Sequence, residues 1–456
     1  MTAVRKSTPL GRNDELEQIV RAFVGAASQC PIHCALDAVN WPGMRAKFIA
    51  PLHPLFVVAV VPHIACEVFD MSITKSEVLI IGGGVMGSAI AYHVARQGRQ
   101  VLVVERSEEV ASAPAASWAS AGGVRRQGRH PAEAKLAVEA IKRWRTLEEE
   151  LEASVQYRRG GNLLLAESDA EAEQLVMFVR EQQDLGFTDV RLVDRQEVTA
   201  LVPGLHVGVV AGSYSPADGQ ADPALTTRAF ATAAQRLGAT YWKGSAVLAL
   251  LKEGEWVIGA RTGRGEVQAE QVVLAAGAWS DELAGAIGLR LPIKMAALQM
   301  VLSTPASRQV LQPVLSAAGR ALSLKQVNDG AFLIGGGWPG DPTADRRSYT
   351  LREDSVKGNW ETACELLPAV GEQRIARAWC GLEALSIDDL PFIGPIAGLD
   401  GLTVAIGFSG HGFALAPAVG RAVAEQLLGR AVPELDGLRA GRIESFQRDA
   451  VQEFLG

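Results

Sequence analysis

The chain has 456 residues, 48% of them apolar and 21% charged, enough to bury a large core and to form two folding units. A formal net charge of -7 leaves no basic footprint for nucleic acid. Five cysteines, an odd number scattered along the chain, make no disulfide framework and point to a reducing, cytoplasmic compartment.

Residues 1–70 differ from everything after them. Asn13 is placed to cap a short amphipathic helix through Leu16, Ile19, Val20 and Phe23, whereas Trp41 to Cys66 mixes prolines and histidines with apolar residues without a period. Phe48 to Cys66 has no Asp, Glu, Lys or Arg and is about long enough to cross a bilayer, but Pro51, Pro54, Pro62, His53 and His63 interrupt it. Cys30, His33 and Cys34 lack a second pair at a metal-binding spacing. From Met71, MSITKSEVLIIGGG reads as a fresh start on a buried strand. Residues 1–70 are therefore expected to be an upstream extension from a misassigned start, or a disordered leader.

Val78 to Arg106 is the most informative stretch. An apolar strand (Val78 to Ile81) runs into Gly82, Gly84 and Gly87, a helix follows to a stop at Gly98, and a second strand (Val101 to Val104) ends on Glu105. Gly82 permits a tight turn, Gly84 has no side chain to block a pyrophosphate, and Gly87 lets the helix lie close on the sheet. The helix start offers free N–H groups and a positive dipole end to phosphates. Glu105 is placed to accept from adenosine ribose hydroxyls, and its charge would repel a 2′-phosphate, which argues against NADP. The motif leaves FAD and NAD open, because both present the same ADP half.

Further along, the small-residue loop Ser117 to His130 reads as irregular, and Pro131 opens a long amphipathic helix to about Leu151. VQYRRGGNLLLAES predicts two short strands around Gly160-Gly161, and a helix follows from about Asp169 to Leu185. Asp222 and Pro223 read as cap and first turn of a helix ending at Gly238. Ala246 to Leu251, Trp256 to Arg261 and Val267 to Ala269 form a predicted meander. Val272 to Leu274 is a buried strand before the turn Ala275 to Ala278, and Asp281 starts a helix. Asn328-Asp329-Gly330 is a hairpin turn. LPFIGPI, the strand GLTVAIGFS and a helix from about Gly412 to Gly429 close the pattern.

The turn Gly407-Phe408-Ser409-Gly410-His411-Gly412-Phe413 joins a strand to a helix with several N–H groups and a dipole end directed at one point. A reduced isoalloxazine, which carries negative charge near N1 and C2=O, needs such a site, and a nicotinamide does not; this favours FAD. His411 is placed either to donate to flavin or substrate, or to serve the turn structurally.

GGGVMG with Glu105, ASWASAGG, DGQADP, VVLAAGAWS, LPFIGPI and GFSGHGFALAPAVG occur in the order found in FAD-dependent oxidoreductases similar to glycine oxidase, sarcosine oxidase and D-amino-acid oxidase. SLKQV, FLIGGGW and WCGLE make the chain resemble most the flavoprotein subunits of opine oxidase, hydrogen cyanide synthase and D-hydroxyproline dehydrogenase. The likeness covers about residues 76–430. It implies an α/β fold: a discontinuous FAD-binding Rossmann-like domain (71–153, 203–290 and 388–456) with an inserted antiparallel-sheet substrate domain (154–202 and 291–387). It further implies oxidation of a C–N bond of a small amino acid, imino acid or opine by hydride transfer to flavin N5. By position, Gly82, Gly84, Met86, Gly87 and Glu105 match the ADP site. Ser117, Ser120, Gly122 and Gly123 match the loop under the pyrophosphate and ribityl chain, and Val247 the backbone contact to adenine. Gly277 and Trp279 match the second cofactor strand, and Gly407, Gly410, His411, Gly412 and Phe413 the flavin pyrimidine end.

Two departures bear on chemistry. Where the glycine-oxidase branch has an arginine for the substrate carboxylate, this chain has Glu383 in Trp379-Cys380-Gly381-Leu382-Glu383. A carboxylate cannot clamp another carboxylate, so Glu383 either meets a cationic amine or guanidinium or is solvated. Where sarcosine oxidases carry a lysine that helps oxygen react, Gly336, Gly337 and Trp338 offer no cation, although Lys325 is a candidate substitute. This points to a dehydrogenase that passes electrons to a partner subunit, in the cytoplasm or at a membrane through a complex. Cys380 reads as a buried, inert thiol. The alternatives are an NAD-dependent dehydrogenase and a non-catalytic electron-transfer flavoprotein subunit.

Overall fold

The glycine-rich stretch folds as its pattern predicts in a computed structural model that describes residues 73–455. The expectations on residues 1–70 lie outside the described residues. The elements that position the site are, in chain order, β1 (Thr74–Ile81), α1 (Val85–Arg96), β2 (Val101–Val104), α2 (Pro131–Trp144), α3 (Pro223–Arg236), β3 (Gly265–Leu274), β4 (Ile293–Ser303), β5 (Ile375–Ser386), β6 (Leu399–Ile406) and α4 (Gly412–Leu427).

β1 is central in an eight-stranded sheet. β2 and β3 flank it in parallel, Thr240–Trp242 continues the parallel run beyond β2, and β6 continues it beyond β3. Side chains alternate along each strand, so both faces carry apolar rows. Val78 and Ile80, with Val273 and Ala405, face α1, α3 and α4, whereas Leu79 and Ile81, with Leu274 and Val404, face the opposite core. α4 and α1 pack so closely that a Cβ on Gly420 would sit 2.7 Å from the Ala89 backbone.

Asp222 caps α3 as predicted, accepting from Leu225 N at 2.8 Å with Pro223 in the first turn. Asp222→Ala strands that N–H and is expected to cost about 1 kcal/mol, read as a lowered denaturant midpoint with unchanged slope.

A second, ten-stranded sheet is antiparallel except where Val314–Ala317 runs beside Asn162–Ala166. One face carries Leu163, Val301, Phe332 and Ile334 in its own core. The opposite face carries Glu383 and Trp379 on β5, Met300 on β4, and Leu333 and Lys325 on the predicted hairpin, in cross-strand register. The segment from Pro114 to Gln127 runs over that face. Pro114 O accepts from Leu382 N at 2.7 Å, Ala119 O accepts from Trp379 Nε1 at 3.1 Å, and Gln127 Nε2 donates to Asn162 Oδ1 at 3.1 Å. Ala211–Ser215, in the stretch assigned by sequence to the cofactor domain, pairs in this second sheet. No helix among the described residues is long and apolar enough to cross a membrane.

Four local expectations are corrected. The helix from Pro131 ends at Trp144 and a separate helix spans Leu147–Leu151, because Trp144 and Leu147 are both buried and Glu148 turns back to accept from Val155 N at 2.7 Å. Val155 to Arg159 forms no strand beyond one bridge from Arg158 to Gln220; its backbone bonds to Gln220 and Asp222 instead of folding onto Asn162–Ala166. The loop from Ser117 is not wholly irregular: Ala116–Ala119 makes a helical turn against β5, where a Cβ on Gly381 would come 2.5 Å from Ala119 Cβ. Val267 to Ala269 and Val272 to Leu274 belong to one strand, β3, which pairs with Trp256–Thr262 at its start and with β1 along its length.

Candidate functional site

The first turn is held by close backbone approaches. Gly82 has φ +104°, and a Cβ there would lie 2.5 Å from Ala275 O, so the turn needs glycine both for conformation and for space. A Cβ on Gly87 would overlap the carbonyl oxygen of Gly82, which sets α1 tight on the strand. Gly84 faces Ser117, whose Oγ accepts from Val85 N at 2.9 Å. Ser117 is thereby brought to the start of α1. Both carboxylate oxygens of Glu105 already accept backbone donors, Gly83 N at 2.7 Å and Ser107 N at 2.8 Å. A carboxylate has about four acceptor positions, so capacity remains for hydroxyl donors.

The residues expected at the adenosine end gather around the end of β2. Ser245 N donates to Glu105 O at 2.9 Å, which places the strand beginning at Val247 next to it. Gly277 opens the short turn Gly277–Trp279, and the Trp279 indole carries the Arg106 guanidinium 3.6 Å from its ring centre. Arg106, missed in the sequence, adds a cation beside Glu105; its only sequence signal is adjacency to that acid.

The second turn abuts the first. Gly407 and Gly410 have φ +69° and +83°, α4 begins without a side-chain cap, and a Cβ on Gly412 would lie 3.2 Å from Met86 Cε. The uncapped N–H groups of α4 and the glycine turn before α1 therefore lie side by side. The Phe413 ring is buried 5.2 Å from the Trp144 ring, so its side chain is core and only its backbone is left for a ligand. Met86 likewise packs, against Gly412.

Ser120 Oγ accepts from Gly122 N at 3.1 Å, and Gly123 pairs with Gln220. Beneath this loop the Lys325 Nζ donates to Ala221 O at 3.3 Å and lies 2.9 Å from the Cβ position of Gly122. Burial brings its pKa down to about 7. The Trp338 indole donates to Ala321 O and packs on Gly358.

The two acid–base candidates meet at the second turn. Glu383 Oε1 accepts from Gly410 N at 2.6 Å, and burial pushes its pKa up to about 7 against the pull of that donor. His411 Nδ1 lies 3.1 Å from Oε2 of Glu133, a fully buried acid in the first turn of α2. Burial and the nearby Arg129 hold the His411 pKa below its usual value, so the ring is neutral near pH 7. Glu133 was not legible as a site residue, because an acid in a helix first turn is ordinary. Cys380 is buried and its thiol is pushed up to about 11, as an inert core residue requires.

Two adjacent helix N-termini without side-chain caps of their own, a carboxylate at a strand end, and glycines whose Cβ positions would fill the cradle fit the dinucleotide and flavin ends of FAD. The FAD dependent oxidoreductase family, DAO, matches residues 77–426. The chain belongs to this family. The FAD-dependent oxidoreductase is 31% identical to a glycine oxidase of Pseudomonas aeruginosa, over 78% of this chain and 96% of the relative. It is 29% identical to mitochondrial dimethylglycine dehydrogenase of Rattus norvegicus over 81% of this chain, but spans only 45% of that protein. Among solved structures, L-proline dehydrogenase from P. horikoshii superposes with a TM-score of 0.76 at 29% identity, covering 82% of this chain and 99% of the other. The NAD-dependent alternative is set aside by the family, whose members use FAD.

Proposed function

We propose that this FAD-dependent oxidoreductase oxidises the C–N bond of a small amino acid, imino acid or opine and works as a dehydrogenase subunit. The observation that carries the reading is Glu383, bonded to Gly410 N at the flavin-side turn in the position where the glycine-oxidase branch has a carboxylate-binding arginine. A carboxylate there favours an amine or guanidinium on the substrate. Relatives named glycine oxidase, dimethylglycine dehydrogenase and L-proline dehydrogenase support an amino-acid substrate class.

FAD, when bound, supplies the two-electron acceptor for hydride leaving the amine-bearing carbon. The remaining work belongs to the chain. The sheet built on β1, β2, β3 and β6 holds the cofactor, with Gly82, Gly84, Gly87 and Glu105 at the ADP end and the uncapped N–H groups of α4 at the flavin pyrimidine end. The ten-stranded sheet, Ala211–Ser215 included, supplies the wall on which substrate rests. Neutral His411 takes up the proton of an incoming ammonium, and Glu383 orients the amine. The lack of a cation at Gly336, Gly337 and Trp338 supports a protein or quinone electron acceptor, whereas Lys325, buried beneath the Gly122 loop, is the cation that would serve oxygen instead.

Anaerobic mixing of the yellow protein with D- and L-amino acids, proline derivatives and opines tests the reading. At least one compound is expected to bleach the flavin; if none does, the protein only passes electrons between partners. With that compound in hand, His411→Ala is expected to keep FAD bound but to slow reduction about a hundredfold. Unchanged reduction would remove His411 from the chemistry.

A further inference from the structure

We propose that Glu133 is a positioning residue for His411: its buried carboxylate accepts from Nδ1–H and so leaves Nε2 as the proton acceptor facing the substrate. The inference rests on the amine-oxidation reading above and adds the residue that sets the tautomer. Glu133 is fully buried in the first turn of α2: its Oε1 is hydrogen-bonded to His411 Nδ1 at 3.3 Å, and its Oε2, 3.1 Å from the same nitrogen, has no hydrogen-bond partner of its own among the described residues. His411 Nε2 has no partner among the described residues.

The groups around the pair leave this arrangement favoured. Arg125 and Arg129, on the loop before α2, are the cations acting on His411, and Asp218 acts on both arginines. Arg129 does not claim the carboxylate: its Nε donates to Arg125 O at 3.1 Å, and its Nη1 is unpaired. On the other side of the turn, Glu383 engages Gly410 N, not the ring. Two cations disfavour an imidazolium, so the resting ring is neutral and carries one proton. That proton sits on the nitrogen facing the acceptor-only carboxylate, which is Nδ1.

The consequence is a defined proton step. An N–H bond of the substrate ammonium breaks, its electron pair stays on the substrate nitrogen, and the proton moves to Nε2. The resulting imidazolium is offset by the Glu133 charge. A carboxylate that orients a histidine and stabilises its protonated form is a known solution to this problem.

The test uses the FAD-loaded protein labelled with [15N]histidine, together with Glu133→Gln and Glu133→Asp. In the unsubstituted protein the His411 nitrogens are expected to report a protonated Nδ1 and a bare Nε2. Glu133→Gln should mix the tautomers and lower the limiting rate of flavin reduction about tenfold, with KM little changed. Loss of the negative charge lowers the imidazole pKa, so the low-pH arm of the rate profile should move down by about one unit. Glu133→Asp should restore part of the rate. A proton found on Nε2 in the unsubstituted protein overturns the proposal, as does a Gln variant with an unmoved pH arm. If Glu133→Gln fails to fold, the tautomer of the unsubstituted protein decides alone. If no amine bleaches the flavin, the substrate reading fails while the tautomer measurement still judges Glu133.

Discussion

Gly84→Ala is expected to leave a folded protein that binds FAD about a hundredfold more weakly, roughly 3 kcal/mol, whereas Gly87→Ala is expected to give no stable yellow protein at all. The two glycines stand three residues apart but meet different neighbours. A Cβ on Gly84 would be 3.1 Å from Ser117 Oγ, the end of a side chain that can rotate away, and the new methyl would point to where a pyrophosphate must approach. A Cβ on Gly87 would run into the Gly82 carbonyl, so α1 must lift from the sheet and take the whole turn with it. Flavin absorbance retained through gel filtration, FAD titration of stripped protein and thermal melts separate the cases. Native FAD affinity in Gly84→Ala would mean that the phosphates do not sit over that turn.

Glu383→Gln has the second large expected effect, and pH supplies its signature. Burial raises the Glu383 pKa from the usual carboxylate range to about 7. Between those values the folded chain holds a proton that the unfolded chain has lost, so this carboxyl makes stability fall as pH rises from about 4.5 through 7. The glutamine has no such slope. Its stability should match the parent's near pH 5 and exceed it at pH 8 by an amount on the order of 2 kcal/mol in the cofactor-stripped protein, read as a higher melting temperature. Catalysis should move the other way. Loss of a charged partner for the substrate amine should lower kcat/KM about tenfold to a hundredfold at pH 8, mostly through KM. Equal melting curves at pH 8 would show that Glu383 is solvated.

The cofactor end of the molecule was largely readable in the chain because its rules are local. A strand, three glycines, a helix and an acid occur within thirty residues, and each position answers to a backbone requirement that no other residue type meets as well. Asp222 with Pro223 and the Asn328-Asp329-Gly330 hairpin were legible for the same reason. Val155 to Arg159 was misread because its backbone partners, Gln220 and Asp222, lie some sixty residues away, and no local pattern records them. Phe413 was placed in the site by position, but the direction of its ring depends on Trp144, a residue of a different helix. Glu133 and Arg106 were missed outright. Both look like ordinary surface charges until the fold puts His411 beside one and Trp279 beside the other.

The parallel run through β2, β1, β3 and β6 joins strands whose chain positions run from about 74 to 406, with α4 only after them. During synthesis, the end of β3 from Val272 to Leu274 lacks its β6 neighbour until nearly the whole polypeptide has left the ribosome, and half of the cradle does not exist before then. A chain still being synthesised therefore cannot close the cradle around a prosthetic group before its last strand and helix have emerged.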